Sequence, residues 1–147
     1  MTEELEKLKI IANKYPLLKL DITSKNETDW ESTVTTCDLI VAPYSPEVYA
    51  TCGSAITCEA FVHDIPIIAS ANTSMSSYLD KFNLGELIVT DYSEGGFLDA
   101  IKYVFKNIER IRLQFSAASA LWNQQNDSLP YAKAVLQVLE MMDDKRS

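Results

Sequence analysis

Apolar residues along this chain alternate between helical and strand-like spacing. Leu5, Leu8, Ile11 and Ala12 recur every three to four positions and stop at Tyr15 and Pro16, which predicts a helix ended by proline. Residues 17–22 (LLKLDI) read as a short strand, and 29–36 as a second, weaker helix with Trp30 and Val34 one turn apart. DLIVA at 38–42 is apolar after its aspartate and is bounded by Pro43, Tyr44, Ser45 and Pro46, a pattern that suits a strand buried on both faces of a parallel sheet. A loop over 45–52 leads to an apolar helix over 53–63. PIIAS (66–70) predicts another buried strand, 75–82 a short helix, and ELIVT (86–90) a fourth strand.

Beyond that strand the spacing is helical. Phe97, Ile101, Val104, Phe105 and Ile108 form one stripe, and Ile111, Phe115, Ala118 and Trp122 the next. Gly95 and Gly96 read as a turn. Asp127 and Ser128 followed by Pro130 give a helix-start signal, and Tyr131, Val135, Val138 and Met142 supply the stripe of a last helix over 128–142. Strands and helices in alternation predict an α/β domain with a parallel sheet of about four strands and flanking helices. No repeat, linker or low-complexity tract divides 1–147, so a single domain is expected.

Composition narrows the function classes. The net charge of -8 argues against nucleic acid or an anionic membrane surface as partner. No stretch is apolar for long enough to span a bilayer, and MTEELEKLK has no signal-peptide core, so a cytoplasmic setting is expected. Cys37, Cys52 and Cys58 are an odd number without a CxxC, and His63 is the only histidine. The cysteines read as small buried hydrophobes, with no metal site expected.

The informative segment runs from Asp38 to Met75. Ligands of open α/β sheets bind beyond the carboxyl ends of the strands, where the loop after DLIVA must lie. That loop enters a helix beginning at Cys52, Gly53 and Ser54. A glycine there lets a ligand approach the backbone, and the amides and dipole of a helix start favour a phosphate; a simple cap would look the same. Glu59 is the only charged residue from Gly53 through Val62, among apolar neighbours that suggest a helix buried nearly all round. With no Lys or Arg between Lys25 and Lys81, its carboxylate needs other donors, such as the vicinal diol of a ribose, or a place at a solvated rim.

This segment resembles the nucleotide-binding core of group 1 (family 4) glycosyltransferases, which have the GT-B fold. Asp38 to Tyr44 matches the family's strand and Pro-Tyr, Glu59-Ala60 its Glu-Ala, and Pro66-Ile67-Ile68 its Pro-Val-Ile. Cys52-Gly53 and Asn72-Thr73-Ser74-Met75 stand where one subset has Ser-Gly and Gly-Thr-Trp-Met. Gly85 matches a glycine before the last strand. The resemblance runs from about Glu3 to Trp122 and implies a Rossmann-like three-layer domain, the incomplete C-terminal half of a retaining, hexosyl-type transferase. It implies a nucleoside diphosphate sugar as donor, with no cofactor or metal, and a saccharide or lipid-linked acceptor. It assigns ribose binding to Glu59, diphosphate binding to Cys52, Gly53 and Ser54, and the donor-site loop to Tyr44, Thr51 and Thr73. The catalytic residues stay unassigned. The acceptor-binding half would be a missing N-terminal domain or partner chain, with peripheral membrane association through it.

The chain departs from that pattern in three places. The first glutamate of the family's Glu-x7-Glu motif falls at Thr51, with Glu47 in the preceding loop as the alternative carboxylate. The glycine after the helix is Asp64, which tolerates the left-handed conformation, and His63 then reads as a partner of the helix C-terminus or a surface residue. The upstream basic residues that meet the diphosphate are not in the chain. A half charge at a helix end is small against about two on a diphosphate, so the isolated chain is expected to bind weakly and to be inactive. Two other readings share these features: a non-catalytic nucleotide-binding or regulatory α/β module, and a fragment of a GT-B sugar-nucleotide epimerase.

Overall fold

Three short apolar runs pair in parallel to make the sheet. In the computed structural model, which describes residues 3–14, 21 and 26–127, they are β1 (Ile40–Ala42), β2 (Ile67–Ser70) and β3 (Ile88–Val89), in the order β1-β2-β3. Ile40, Val41 and Ala42 stand opposite Ile67, Ile68 and Ala69, while Ala69 and Ser70 stand opposite Ile88 and Val89. Side chains alternate across a strand, so Val41, Ile68, Ser70 and Val89 share one face and Ile40, Ala42, Ile67, Ala69 and Ile88 the other. All of β2 is buried, as its unbroken apolar run requires.

The chain divides into two compact units, Met1–Ser32 and Thr33–Ser147. The first contains α1 (Glu3–Lys14), the helix expected from its spacing. The helix α2 (Glu27–Thr35) runs through the boundary, and Asn26 Oδ1 accepts from the Asp29 amide at 2.8 Å, as a helix N-cap does. The expected strand at 17–22 falls outside the described residues apart from Asp21, and so does the expected last helix at 128–142.

The second unit contains the sheet. A short helix, α3 (Pro46–Tyr49), occupies part of the segment expected to be loop. Then α4 (Ala55–Val62) links β1 to β2, and α5 (Ser74–Lys81) links β2 to β3 by way of a 3-10 turn at Gly85–Leu87. Both connections are parallel crossovers, and the right-handed rule puts α4 and α5 on the same side of the sheet. Beyond β3 come α6 (Glu94–Lys106) and α7 (Ile108–Asn126), which break at Asn107, so that Ile108 of the first expected stripe opens the second helix. No helix among the described residues is long and apolar enough to cross a membrane.

Phe61 stands at the centre of the core. It is fully buried and lies against Phe115 at 5.0 Å between ring centroids, Phe82 at 5.4 Å and Trp122 at 5.7 Å. Its carbonyl would otherwise be an orphan at the end of α4. It accepts from Ser119 Oγ and from Asn123 Nδ2, both on α7. One residue thus fixes α4 against α5 and α7 through its ring and against α7 through its backbone.

Four expectations are corrected. The helix predicted from Gly53 starts at Ala55, and it is not buried all round: Thr57, Ala60 and Phe61 face inward while Ala55, Cys58 and Val62 are exposed. The fourth predicted strand is paired only at Ile88 and Val89, because its first residues close the 3-10 turn. Gly95 and Gly96 are not a turn but lie in the first turn of α6, whose cap Ser93 accepts from the Gly96 amide at 3.2 Å. Cys37, Cys52 and Cys58 are exposed rather than buried.

A fork of charge joins the 3-10 turn to α6 and α7. Arg110 Nη1 and Nη2 donate to Glu86 Oε1 and Oε2 at 2.9 and 2.8 Å, and Tyr103 Oη donates to Oε2 at 2.8 Å. The Arg110 hydrogen bonds hold the Glu86 carboxyl below its ordinary value, against a smaller opposing effect of burial and with help from Tyr103. A carboxylate with a lowered folded pKa contributes stability above its unfolded pKa and loses it as pH falls through the folded one. Both groups are partly open to solvent, which keeps that contribution small. Urea unfolding of Glu86→Gln is therefore expected to show that loss at pH 7 and almost none at a pH below both values. An equal loss at both would rule out the charge as its source.

Candidate functional site

The loops that follow the three strands meet at the carboxyl end of the sheet. After β1, the Tyr44 amide donates back to the Ala42 carbonyl at 2.9 Å, and Pro46 starts α3 with its fixed backbone angle. The turn brings Tyr44 onto Tyr49, with ring centroids 4.4 Å apart and planes 23° off parallel. After β2, the Ala71 amide extends the ladder to the Val89 carbonyl at 2.8 Å, and Asn72 adopts a left-handed φ of 57°. Thr73 then caps α5. Its hydroxyl donates to the Ser70 carbonyl at 2.7 Å and accepts from the Ser76 amide, while Ser76 Oγ accepts from the Thr73 amide. After β3, Tyr92 Oη donates to the Ala71 carbonyl at 3.0 Å and accepts from Asn72 Nδ2 at 3.3 Å, so the second and third loops are laced together.

A cleft of about 770 Å³ opens between these loops. The β1 side contributes Val41, Pro43, Tyr44, Ser45, Pro46 and Glu47, and β2 contributes Ser70 and Asn72. Tyr92, Ser93, Glu94 and Phe97 close it from the third loop and α6. Val41 and Ser70 share a sheet face, so the cleft lies over that face at the carboxyl end. Its size is that of a small-molecule site, and its position is where open α/β sheets bind ligands. No Lys or Arg among the described residues lines it.

The residues singled out from the sequence divide between this cleft and the edge of α4. Tyr44 and Glu47 line the cleft. Thr51, Cys52 and Gly53 are exposed in the bend before α4. A side chain at Gly53 would meet nothing within 4 Å, so packing does not demand a glycine there. Ser54 is the N-cap position of α4 but makes no side-chain cap bond, which leaves the first amides of that helix to solvent or ligand. The Cys52 carbonyl accepts from Ser74 Oγ at the start of α5, which ties the bend before α4 to the Thr73 cap. The Thr73 hydroxyl is itself spent on that cap and is buried.

Glu59 pairs with a histidine rather than with Lys or Arg. Its Oε2 stands 3.2 Å from His63 Nε2, four residues on, and a third of its side chain is exposed. It is a rim carboxylate with no other hydrogen-bond partner among the described residues, so an oxygen stays open to a hydroxyl. His63 sits at the C-cap of α4 and Asp64 takes a left-handed φ of 57°, as the sequence led one to expect.

Tyr92, Ser93 and Glu94 were not singled out from the sequence, Asn72 entered only within the 72–75 motif, and Phe97 only as part of a helical stripe. Their signal is position: each lies between the carboxyl end of a strand and the first turn of the helix that follows it. Among the described residues no group of His, Cys, Asp and Glu could hold a metal ion. No family model, curated protein or solved structure matches the chain.

Proposed function

We propose that the chain is the donor-binding half of a GT-B glycosyltransferase, holding a nucleoside diphosphate sugar at the start of α4. The observation that carries this reading is the bond from Ser74 Oγ to the Cys52 carbonyl. It joins the segment 51–54 to the α5 start next to Thr73, which the resemblance also assigns to the donor, at the carboxyl end of the sheet and beside an α4 start that lacks a side-chain cap. In this reading the first amides of α4 meet a phosphate, and Glu59, just over one turn in, receives the ribose hydroxyls while His63 orients its carboxylate. Sugar transfer would draw on the same amides to stabilise the departing diphosphate. The positive charge that completes the site, and the acceptor, would belong to a second half, so the chain alone binds weakly and does not turn over.

Glu59→Gln keeps the shape of the side chain and removes its charge, so it tests the ribose assignment. A charge-assisted hydrogen bond is worth about 1.5–3 kcal/mol, and the partial exposure of Glu59 argues for the lower end. The expected result is a roughly tenfold weaker affinity for a ribonucleoside diphosphate, with no change for the 2′,3′-dideoxy analogue. Equal weakening for both nucleotides would contradict the role.

A further inference from the structure

The helices α4 and α5 both begin at the carboxyl end of the sheet, and both begin with a pair of hydroxyl residues. Ser54 is the N-cap of α4 and Thr57 its third residue; Thr73 is the N-cap of α5 and Ser76 its third residue. At α5 the pair is joined both ways. The Ser76 amide donates to Thr73 Oγ1 at 3.3 Å and the Thr73 amide to Ser76 Oγ at 3.1 Å. At α4 neither bond is made. Ser54 has no side-chain cap bond, and Thr57 Oγ1 is the one buried side-chain polar atom without a hydrogen-bond partner among the described residues. Thr57 is only 2% exposed, so water does not take the partner's place at the surface.

A buried hydroxyl without a partner is costly. A helical threonine usually avoids this by donating to the carbonyl three or four residues back, which here is Ser54 or Gly53. Ser76 does so in α5, with the Thr73 carbonyl at 2.9 Å, and Thr57 does not. We propose that the Thr57 hydroxyl is a further hydrogen-bond donor to the phosphate group held at the start of α4. The assignment rests on the donor reading and adds a side chain that reading does not use. Helical side chains lean toward the N-terminus of their helix, so a hydroxyl on the third residue is directed at the first turn. The amides of Ala55 and Ile56 lie in that turn, without acceptors of their own in the helix. The approach is open at Gly53, where even an added Cβ would meet nothing within 4 Å. A phosphate oxygen accepts several hydrogen bonds at once, and shelter from water strengthens each of them.

Thr57→Val keeps the shape of the side chain and removes the hydroxyl. UDP, inorganic pyrophosphate and uridine are titrated into the full chain and followed at the amides of Ala55, Ile56 and Glu59. The valine variant is expected to bind UDP and pyrophosphate about tenfold more weakly and uridine no differently. Without ligand it is expected to melt about 2–4 °C higher, because the unpartnered hydroxyl is gone. Thr57→Ser keeps the hydroxyl and is expected to stay within roughly twofold of the unaltered chain in affinity. Weaker binding beside higher stability separates a ligand contact from a packing role, which would lower both or leave affinity alone. Unchanged affinity of Thr57→Val for pyrophosphate, equal weakening for uridine, or a serine variant as weak as the valine one would overturn the assignment and leave the donor reading standing. No response of Ala55 and Ile56 in the unaltered chain to UDP or pyrophosphate would overturn both.

Discussion

Phe61→Ala is expected to remove about 3–5 kcal/mol of unfolding free energy, the range for deleting a buried aromatic ring. The upper part of that range is expected because the ring is fully buried and touches three other aromatic side chains, from α5's end and α7. These rings cannot all move into the space, since α7 is also held by Ser119 and Asn123 on the Phe61 carbonyl. Domains of this size have about 5–15 kcal/mol in all, so the variant stands near its unfolding threshold. Urea denaturation followed by Trp122 fluorescence measures it. A loss below 1 kcal/mol would show that Phe61 does not centre the core.

Gly96→Ala is expected to be the second most damaging change, at about 1–3 kcal/mol or somewhat more. A Cβ at this position would stand 2.0 Å from the Asp91 carbonyl oxygen and 2.9 Å from its carbon. Both are backbone atoms, so relief requires the 91–93 loop or the start of α6 to shift. Gly95 is the internal control. A Cβ there would meet only Ser93 Oγ, at 3.5 Å. Gly95→Ala should be neutral or stabilising by up to about 1 kcal/mol, because alanine favours helix. The two variants differ in one position and carry the same change in composition, so thermal unfolding should separate them cleanly. Gly96→Ala should also displace Tyr92 and alter the cleft; matched melting of the two variants would refute the contact.

The Gly-Gly pair also shows where sequence reading stops. Two glycines suggest a flexible turn, but the reason for Gly96 is a backbone approach from five residues away, which only the folded loop creates. The unbroken apolar run at Ile67 revealed a strand buried on both faces, which leaves no other pattern, whereas the similar run at Ile40 pairs in parallel with it but leaves Val41 exposed. In α4 the same logic misled. Eight residues nearly free of charge looked buried on every side, whereas an apolar sequence does not say which face will be covered. The Glu59–His63 pair was hidden because a histidine four residues on is a partner only once the helix forms. Tyr44 was legible from its motif. Tyr92 and Phe97 were not, since they join the cleft through strand pairing that lies far apart in the chain.

Nucleotide is expected to bind where Cys52, the start of α4 and the Thr73 cap come together. Titrating the chain with UDP, GDP and ADP, and following amide shifts residue by residue, tests it most directly. The predicted result is weak binding, on the order of 1 mM, with the largest shifts at Ala55, Ile56, Glu59 and Ser74. No shift at these amides at several times roughly that concentration, or shifts confined to other residues, would contradict it.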